Sequence, residues 1–424
     1  MTHLKKRTTA GDKTISLPMT VEGNDEAFVK DTPSYRAYLD HMIALYPELF
    51  PEGIEQGYRF HGFVESGKLH LTTRRIRLNV NGEVYQIRPD TVMPYMIGTT
   101  EDVEKGLYLR RYGVPYDGIA HVLGHNAMYG YHATQALSRI SIVGSTVKTP
   151  GVFSLNLVAD EKHSWRLGER IYIAVTAAIG CFFGAEIAET SDAVALEKAY
   201  GVFQQEALQQ NPDYQPESVN TDGWDATQTA WKAIFPGITL ILCFLHSVLG
   251  IQQRCRRQDG VYRMVTEKLW HLYHSLNRQQ FAQRLRRLTE WAQNPKTALP
   301  DVVRQKILGL KAKAPAFKVA FDLPNAARTS NSVDRLMNYQ DRLLEAMQYF
   351  HGSLASANQA VRAMALLWNF HPYCEKVQSR PPYSRSPFED LNGFHYHKHW
   401  LRNLMIAASL NGRGTAKPRP HKLN

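Results

Sequence analysis

From Gly151 onward the chain reads as three β runs in succession, followed by helix, strand, helix and strand. Val152–Val158 is a β run ending at Ala159-Asp160, and Arg170–Ala178 and Cys181–Ala188 are two more. Ser191 and Asp192 offer N-cap chemistry to a helix through about Leu208. Ser218–Thr221 is a short strand ending at Asp222, Ala226–Ile234 reads as a helix, and Ile238–Phe244 is a continuous apolar strand. This β-β-β-α-β-α-β order confines the region to an α/β fold with a mixed sheet. Such sheets bring side chains of separate strands together at strand ends.

Asp160 and Asp222 each follow a strand run. Asp334 falls in the first turns of a helix expected over Thr329–Phe350, capped near Thr329 or Ser330. One aspartate after a strand ordinarily forms a turn or caps a helix. Three in this order fit another chemistry. Hard divalent cations take oxygen ligands, and two ions about 3.5–4 Å apart clamp the attacking and leaving oxygens of an in-line phosphoryl transfer. Glu161 and Asp225 are expected to support these acids or to face solvent. Asp341, two helical turns past Asp334, and Glu345 remain alternatives for the third ligand.

Between the last strand and that helix, Ser247–Ala314 reads as helical throughout. From Ile251 to Lys313 there are 14 Lys/Arg against 4 Asp/Glu, an excess of +10 within a chain of net charge +11. The tail adds Arg413, Lys417, Arg419 and Lys422 with no acid. Clustered positive charge favours a polyanion, because binding releases counterions from phosphates. Arg254, Arg256, Arg257, Arg284, Arg286 and Arg287 are the candidate DNA contacts there.

Upstream, residues 1–30 are polar and aperiodic and read as a flexible leader. A helix is expected over Tyr35–Leu45, then β runs at Tyr58–Glu65, Leu69–Asn79 and Glu83–Arg88, the last two joined through Asn81-Gly82, a strong hairpin signal. Glu101–Tyr112 has helical spacing and stops at Gly113. Tyr116–Leu123, the turn Gly124-His125-Asn126 and Ala127–Ile140 then form a helix-turn-helix pattern. Its second helix would offer Asn126, Tyr129, His132 and Gln135 to a DNA groove.

Several classes are disfavoured. No signal segment is expected at Met1. The apolar stretch Ile171–Ala188 is broken by Thr176, Gly180, Gly184 and Glu186, which suits two buried strands and a tight turn better than a membrane helix. Cys181, Cys243, Cys255 and Cys374 are scattered without a CxxC pair, so neither a disulfide framework nor a four-cysteine zinc site is expected. Cys243 and His246 lack two further zinc ligands nearby. His395, His397 and His399 alternate in a Pro-rich context that favours a surface segment over a metal site.

With these residues in view, Val152–Tyr373 resembles the DDE/D transposases, particularly the Mutator-like and related bacterial insertion-sequence groups. The resemblance lies in Asp160-Glu161 before a hairpin, in Val219-Asn-Thr-Asp222-Gly-Trp224, and in Cys243-x-x-His246 after the next strand. It extends to Thr329-Ser-Asn331-Ser-Val-Asp334-Arg-Leu-Met-Asn338 and to Leu366-Leu-Trp-Asn-Phe370 at a helix end. Asp at the third acidic position departs from the commoner Glu.

The resemblance implies an RNase H-like core over residues 149–247 and 315–373, interrupted by the basic helical insertion at 248–314. An α+β region (31–98) and a helix-turn-helix region (99–148) would precede it, and an extension with a basic tail (374–424) would follow. It implies Asp160, Asp222 and Asp334 as catalytic metal ligands for two Mg2+ or Mn2+ ions, with Cys243, His246 and Asn331 supporting them. The reaction would be cleavage at element ends and strand transfer of a 3′-hydroxyl into target DNA. The partners would be double-stranded DNA, with terminal inverted repeats and a target site, and a second copy of the chain, in the nucleoid-associated cytoplasm of a prokaryote, with no membrane. The competing expectations are an RNase H-fold nuclease or resolvase, and an inactive, domesticated DNA-binding protein.

Overall fold

Two sheets organise the computed structural model, which describes residues 10–19 and 26–414. The first contains β1 (Thr14–Leu17), β2 (Tyr58–Ser66), β3 (Leu71–Leu78) and β4 (Val84–Pro89), in the spatial order β1-β4-β3-β2. The β3–β4 turn follows the Asn-Gly expectation. Gly82 takes φ +72°, and Asn81 Oδ1 accepts the amide proton of Glu83 at 2.9 Å.

β1 corrects the reading of residues 1–30 as a leader, for its described part. Ile15 and Leu17 are fully buried, and the strand pairs in parallel with β4. Its partners lie far along the chain, including Ser409, whose hydroxyl accepts from the Ser16 amide at 3.1 Å. Residues 1–9 and 20–25 lie outside the described residues. Helices α1 (Glu26–Lys30) and α2 (Thr32–Leu45) pack beside this sheet.

Next come α3 (Thr100–Arg111), α4 (Tyr116–Leu123), α5 (Ala127–Ser138) and α6 (Ile142–Thr146). Thr99 and Asp102 close a capping box on α3. Gly124, at φ +70°, ends α4 in the left-handed region that glycine adopts without strain.

The second sheet consists of β5 (Asn156–Arg166), β6 (Glu169–Ala178), β7 (Cys181–Ala188), β8 (Ser218–Thr221) and β9 (Thr239–Leu242), in the order β7-β6-β5-β8-β9. β5, β6 and β7 pair antiparallel, whereas β8 runs parallel to both β5 and β9. The chain is thus a mixed α/β protein. Ile171–Ala188 is the β6–β7 hairpin, turning at Ile179-Gly180 with positive φ at both residues. Among the described residues no helix is long and apolar enough to cross a membrane.

Helices α7 (Ala193–Gln210) and α8 (Asp225–Ile234) cover one face of this sheet, with Leu157, Ala159, Val219, Phe203 and Trp231 in their shared core. After β9, helices α9 (Phe244–Cys255), α10 (Asp259–Tyr273), α11 (Arg278–Gln293) and α12 (Asp301–Lys318) form the insertion around their own core of Phe244, Leu269, Phe281, Ile307 and Phe317. Helices α13 (Asn331–Ala346) and α14 (Leu354–Phe370) then cover the other face of the sheet. Arg362 on α14 sits between Glu186 of β7 and Glu206 of α7, a buried charge triad that fixes the helix against both.

Helices α15 (Glu375–Gln378), α16 (Pro387–Asn392) and α17 (Trp400–Ala407) complete the chain. The C-terminal segment is no peripheral extension over its described part. α17 is buried, and Arg402 meets the fully buried Asp90 just past β4, Nε to Oδ2 at 2.8 Å. A continuous core joins Ile15, Ile76, Leu137, Val175, Leu336, Phe370 and Leu404. The regions delimited in the sequence at 31–98, 99–148 and, over its described residues to 414, 374–424 therefore share one interior with the sheet at β5–β7, while Lys417, Arg419 and Lys422 lie outside the described residues.

Candidate active site beside the end of β8

The pleat of β5 decides which acids can meet. Side chains alternate across a sheet, so Val158, Asp160 and Lys162 face α13, while Ala159 and Glu161 face α7 and α8. Asp160 does not close its strand, as the sequence suggested, because β5 runs on to Arg166 in the long hairpin with β6. It lies where the parallel neighbour ends. The β5–β8 register pairs Leu157 with Val219 and Val158 with Asn220. Continued by two residues, it sets Asp160 beside Asp222, on the same face.

Asp222 is aimed by a tight turn. Gly223 has φ +95°, a conformation that a side chain strains, and a Cβ there would press on the Leu242 side chain, so glycine suits the turn beside β9. Asp222 Oδ1 accepts the Trp224 amide proton at 2.8 Å, which orients the carboxylate ahead of α8.

The start of α13 is moored to the ends of β8 and β9. Asn220 Nδ2 donates to Ala327 O at 2.9 Å, and Phe244 N donates to Arg328 O at 3.2 Å. Ser330 N donates to Cys243 Sγ at 3.2 Å, and the Ser330 hydroxyl lies 3.5 Å from His246 Nδ1. β9 stops at Leu242, earlier than expected, because Cys243 is the N-cap of α9. Cys243 and His246 therefore join α9 to α13, and Asp334 follows one turn after Ser330, its amide donating to Ser330 O. Asn331, the first residue of α13, is exposed.

Electrostatics tie the acids together. Burial pushes Asp160 up to about 6; His246 opposes this, and the charges of Asp222 and Asp334 add to it. Asp334 is raised by burial, again against His246. His246 is pushed up to about 9, first by its hydrogen bond with Cys243, then by the charges of Cys243, Asp160 and Asp222, with burial acting in the opposite sense. The site thus sets one imidazolium against three carboxyls. Glu161 is separate. Its Oε1 accepts from the Tyr200 and Thr227 hydroxyls, both at 2.7 Å, on the far face of the sheet. Asp341 is occupied by Lys162 at 2.7 Å, and Glu345 is exposed.

In donor chemistry, Asp160, Asp222 and Asp334 fit a hard divalent ion: oxygen ligands, partly buried, mutually repelling and short of positive charge. Among the described residues, no three His, Cys, Asp or Glu side chains are gathered tightly enough to enclose an ion. An ion would have to draw the three together.

The other candidates are more dispersed. Arg254, Arg256 and Arg257 are exposed at the end of α9, and Arg286 and Arg287 are exposed on α11, where Arg286 pairs with Glu290 at 3.6 Å. Arg284 is half-buried and donates to His271 O at 2.6 Å. Around α4 and α5, Asn126 is spent as the N-cap of α5, and the Tyr129 hydroxyl donates to Ile97 O at 2.9 Å. Gln135 is turned inward to Gln359 on α14 at 3.1 Å, since α5 packs along α14, and only His132 of the four points to solvent without such a bond. His395 pairs with Glu389, the His397 ring accepts from the His399 amide, and His399 caps α17, so each of the alternating histidines has a local structural role.

Sequence reasoning missed Lys306 and Lys313. They line a cavity of about 480 Å³ that opens beside Asp222 and His246, between α9 and α12. Their spacing, with Val302 and Gly309 on one side of α12, is the signal that would have found them. No protein-family model matches this chain, and no curated protein matches it.

Proposed function

We propose that this chain is a DDE/D-type DNA transposase with an RNase H-like core and a helical insertion, which cuts at element ends and joins the 3′-hydroxyl to target DNA. The observation that carries the reading is that Asp222 and Asp334 lie within electrostatic reach of Asp160 beside a sheet ordered β7-β6-β5-β8-β9. In that order the parallel neighbours β5 and β8 supply two acids side by side, and the helix after the insertion supplies the third. The basic insertion agrees with a polyanionic substrate.

Asp160, Asp222 and Asp334 would hold Mg2+ or Mn2+. Bound there, such ions supply activation of the attacking oxygen and stabilisation of the leaving one. The chain itself contributes position. β5 and β8 fix two carboxylates in register, the Cys243–Ser330–His246 contacts fix the helix that bears the third, and His246 tempers their repulsion while no cation is bound.

The test uses purified full-length protein, Mg2+ or Mn2+, and a plasmid carrying the DNA that flanks the gene. The expected result is cleavage followed by joining. Asp160→Asn and Asp222→Asn should each lower both by about three orders of magnitude, several kcal/mol of barrier, while DNA binding is retained. Cutting without joining would point instead to a nuclease. Unchanged activity in cells for both variants would leave only a DNA-binding role.

A further inference from the structure

The cavity between α9 and α12 has two properties that point the same way. The first is charge. Lys306, Lys313 and His246 line it, and among the described residues Asp222, at its mouth, is the only carboxylate in the lining. The two lysines lie seven residues apart on α12, so their Cα atoms are separated by about 10 Å along the helix axis.

The second is empty space held open inside two helices. Gly250 on α9 and Gly309 on α12 both line the cavity, and a Cβ at either would meet nothing within 4 Å. Glycine is the least favourable helix-interior residue after proline. Close packing within the chain, the usual reason to keep one there, is absent at both positions. Two glycines lining one cavity, with no internal neighbour for a Cβ, leave room for something from outside, and the lysines beside them suit a negative charge. The volume, about 480 Å³, is that of a small-ligand site.

We propose that the α9–α12 groove holds a short single-stranded stretch of DNA leading away from the acids, with its phosphates on Lys306 and Lys313 and its path cleared by Gly250 and Gly309. This rests on the transposase reading, which supplies the frayed or cut strand at Asp222. Single-strand binding in such a groove is expected to be salt-dependent and tolerant of sequence.

The experiment measures binding of a labelled oligothymidylate and of a blunt duplex to the full-length protein over a range of salt, by fluorescence anisotropy. The variants are Lys306→Gln with Lys313→Gln, and Gly309→Leu, which fills the groove with a strong helix former and leaves the charge unchanged. Losing two phosphate contacts should flatten the single-strand salt slope by about 1.4 and weaken binding by about tenfold at moderate salt. Gly309→Leu should weaken single-strand binding with the wild-type melting temperature retained, and neither variant should alter duplex binding as much.

An unchanged single-strand slope in the lysine variant overturns the proposal. So does an equal loss for duplex and single strand, or a Gly309→Leu protein that melts and binds as the wild type does. The two readings fail separately. Groove-dependent oligonucleotide binding by a wild type that neither cuts nor joins DNA keeps the groove and removes the transposase. Cutting and joining with an unaltered salt slope in the lysine variant does the reverse.

Discussion

Asp160 and Glu161 are consecutive residues of one strand, and burial raises both carboxyls, to about 6 and about 7. The pleat sends them to opposite faces of the sheet. Glu161 meets two hydroxyls that satisfy it, from Tyr200 on α7 and Thr227 on α8. Asp160 meets two more acids and one imidazole. A buried carboxyl that accepts hydroxyls from two helices holds them to the sheet. A half-buried carboxyl among like charges is a poor structural element, and that is the arrangement the proposed cation site would use. Burial and a raised pKa do not by themselves distinguish the two; the chemistry of the neighbours does.

The largest effect that could break this contrast lies on the Asp160 face. Asp334→Asn is expected to reduce metal-dependent DNA cleavage by about a hundredfold or more, and Asp341→Asn by no more than a few-fold. Steady-state cleavage by the two variants checks this. Equal losses would make Asp341 a partner in the site despite its ion pair with Lys162.

On the other face, Glu161→Ala strands two hydroxyls and opens a cavity, and should destabilise the protein by about 2–4 kcal/mol in urea melts. Glu161→Gln keeps an acceptor for both hydroxyls and should stay within about 1 kcal/mol of wild type. A large cleavage defect in a fully folded Glu161→Gln protein would erase the distinction between the faces.

The smallest effect asks what burial does alone. Lys148 Nζ donates to Gly144 O at 2.6 Å, and burial pulls the ammonium down to about 8 from 10.5, with Glu48 acting weakly against it. Between those values the unfolded chain holds the extra proton, so this group's contribution to stability rises with pH from about 8 to 10.5. Below that window both states are charged and the full burial penalty remains. Lys148→Met should therefore stabilise by about 1–2 kcal/mol at neutral pH, after the lost hydrogen bond is subtracted, and the gain should fade as pH rises through the window. Melting curves at neutral and alkaline pH check it. A gain independent of pH would mean that charge burial is not the cause.

Much of the second sheet was legible in the sequence, because its signals are local. Asp192 does cap α7, Ile179-Gly180 does turn β6 into β7, and the strand runs ending near Asp160 and Asp222 do form neighbours. What was illegible depends on partners remote in sequence. Thr14–Leu17 carries no periodicity that sets it apart from a polar leader, and only pairing with β4 makes it a strand. Gln135 lies on the polar side of a helix by spacing, yet α14 covers it. The last residue of a strand could not be read where a hairpin continues past its parallel neighbour, so Asp160 was set at an end it does not occupy. Lys306 and Lys313 were counted in the basic excess without being singled out, since charge totals do not say which residues face a cavity.

β1 has a consequence for how the protein is made. Its amide at Ser16 is completed by Ser409, and Asp90 just past its neighbour β4 is completed by Arg402. Synthesis proceeds from the N-terminus, so the first sheet emerges early but lacks those partners until nearly the whole chain has left the ribosome. During that interval Asp90 has the Met19 amide but not its arginine, and the part of the sheet that the later chain covers is open, which exposes the nascent chain to misassembly and chaperone capture. A chain cut short before Arg402 would therefore yield no well-folded N-terminal fragment, and a finished chain is committed to folding as a unit.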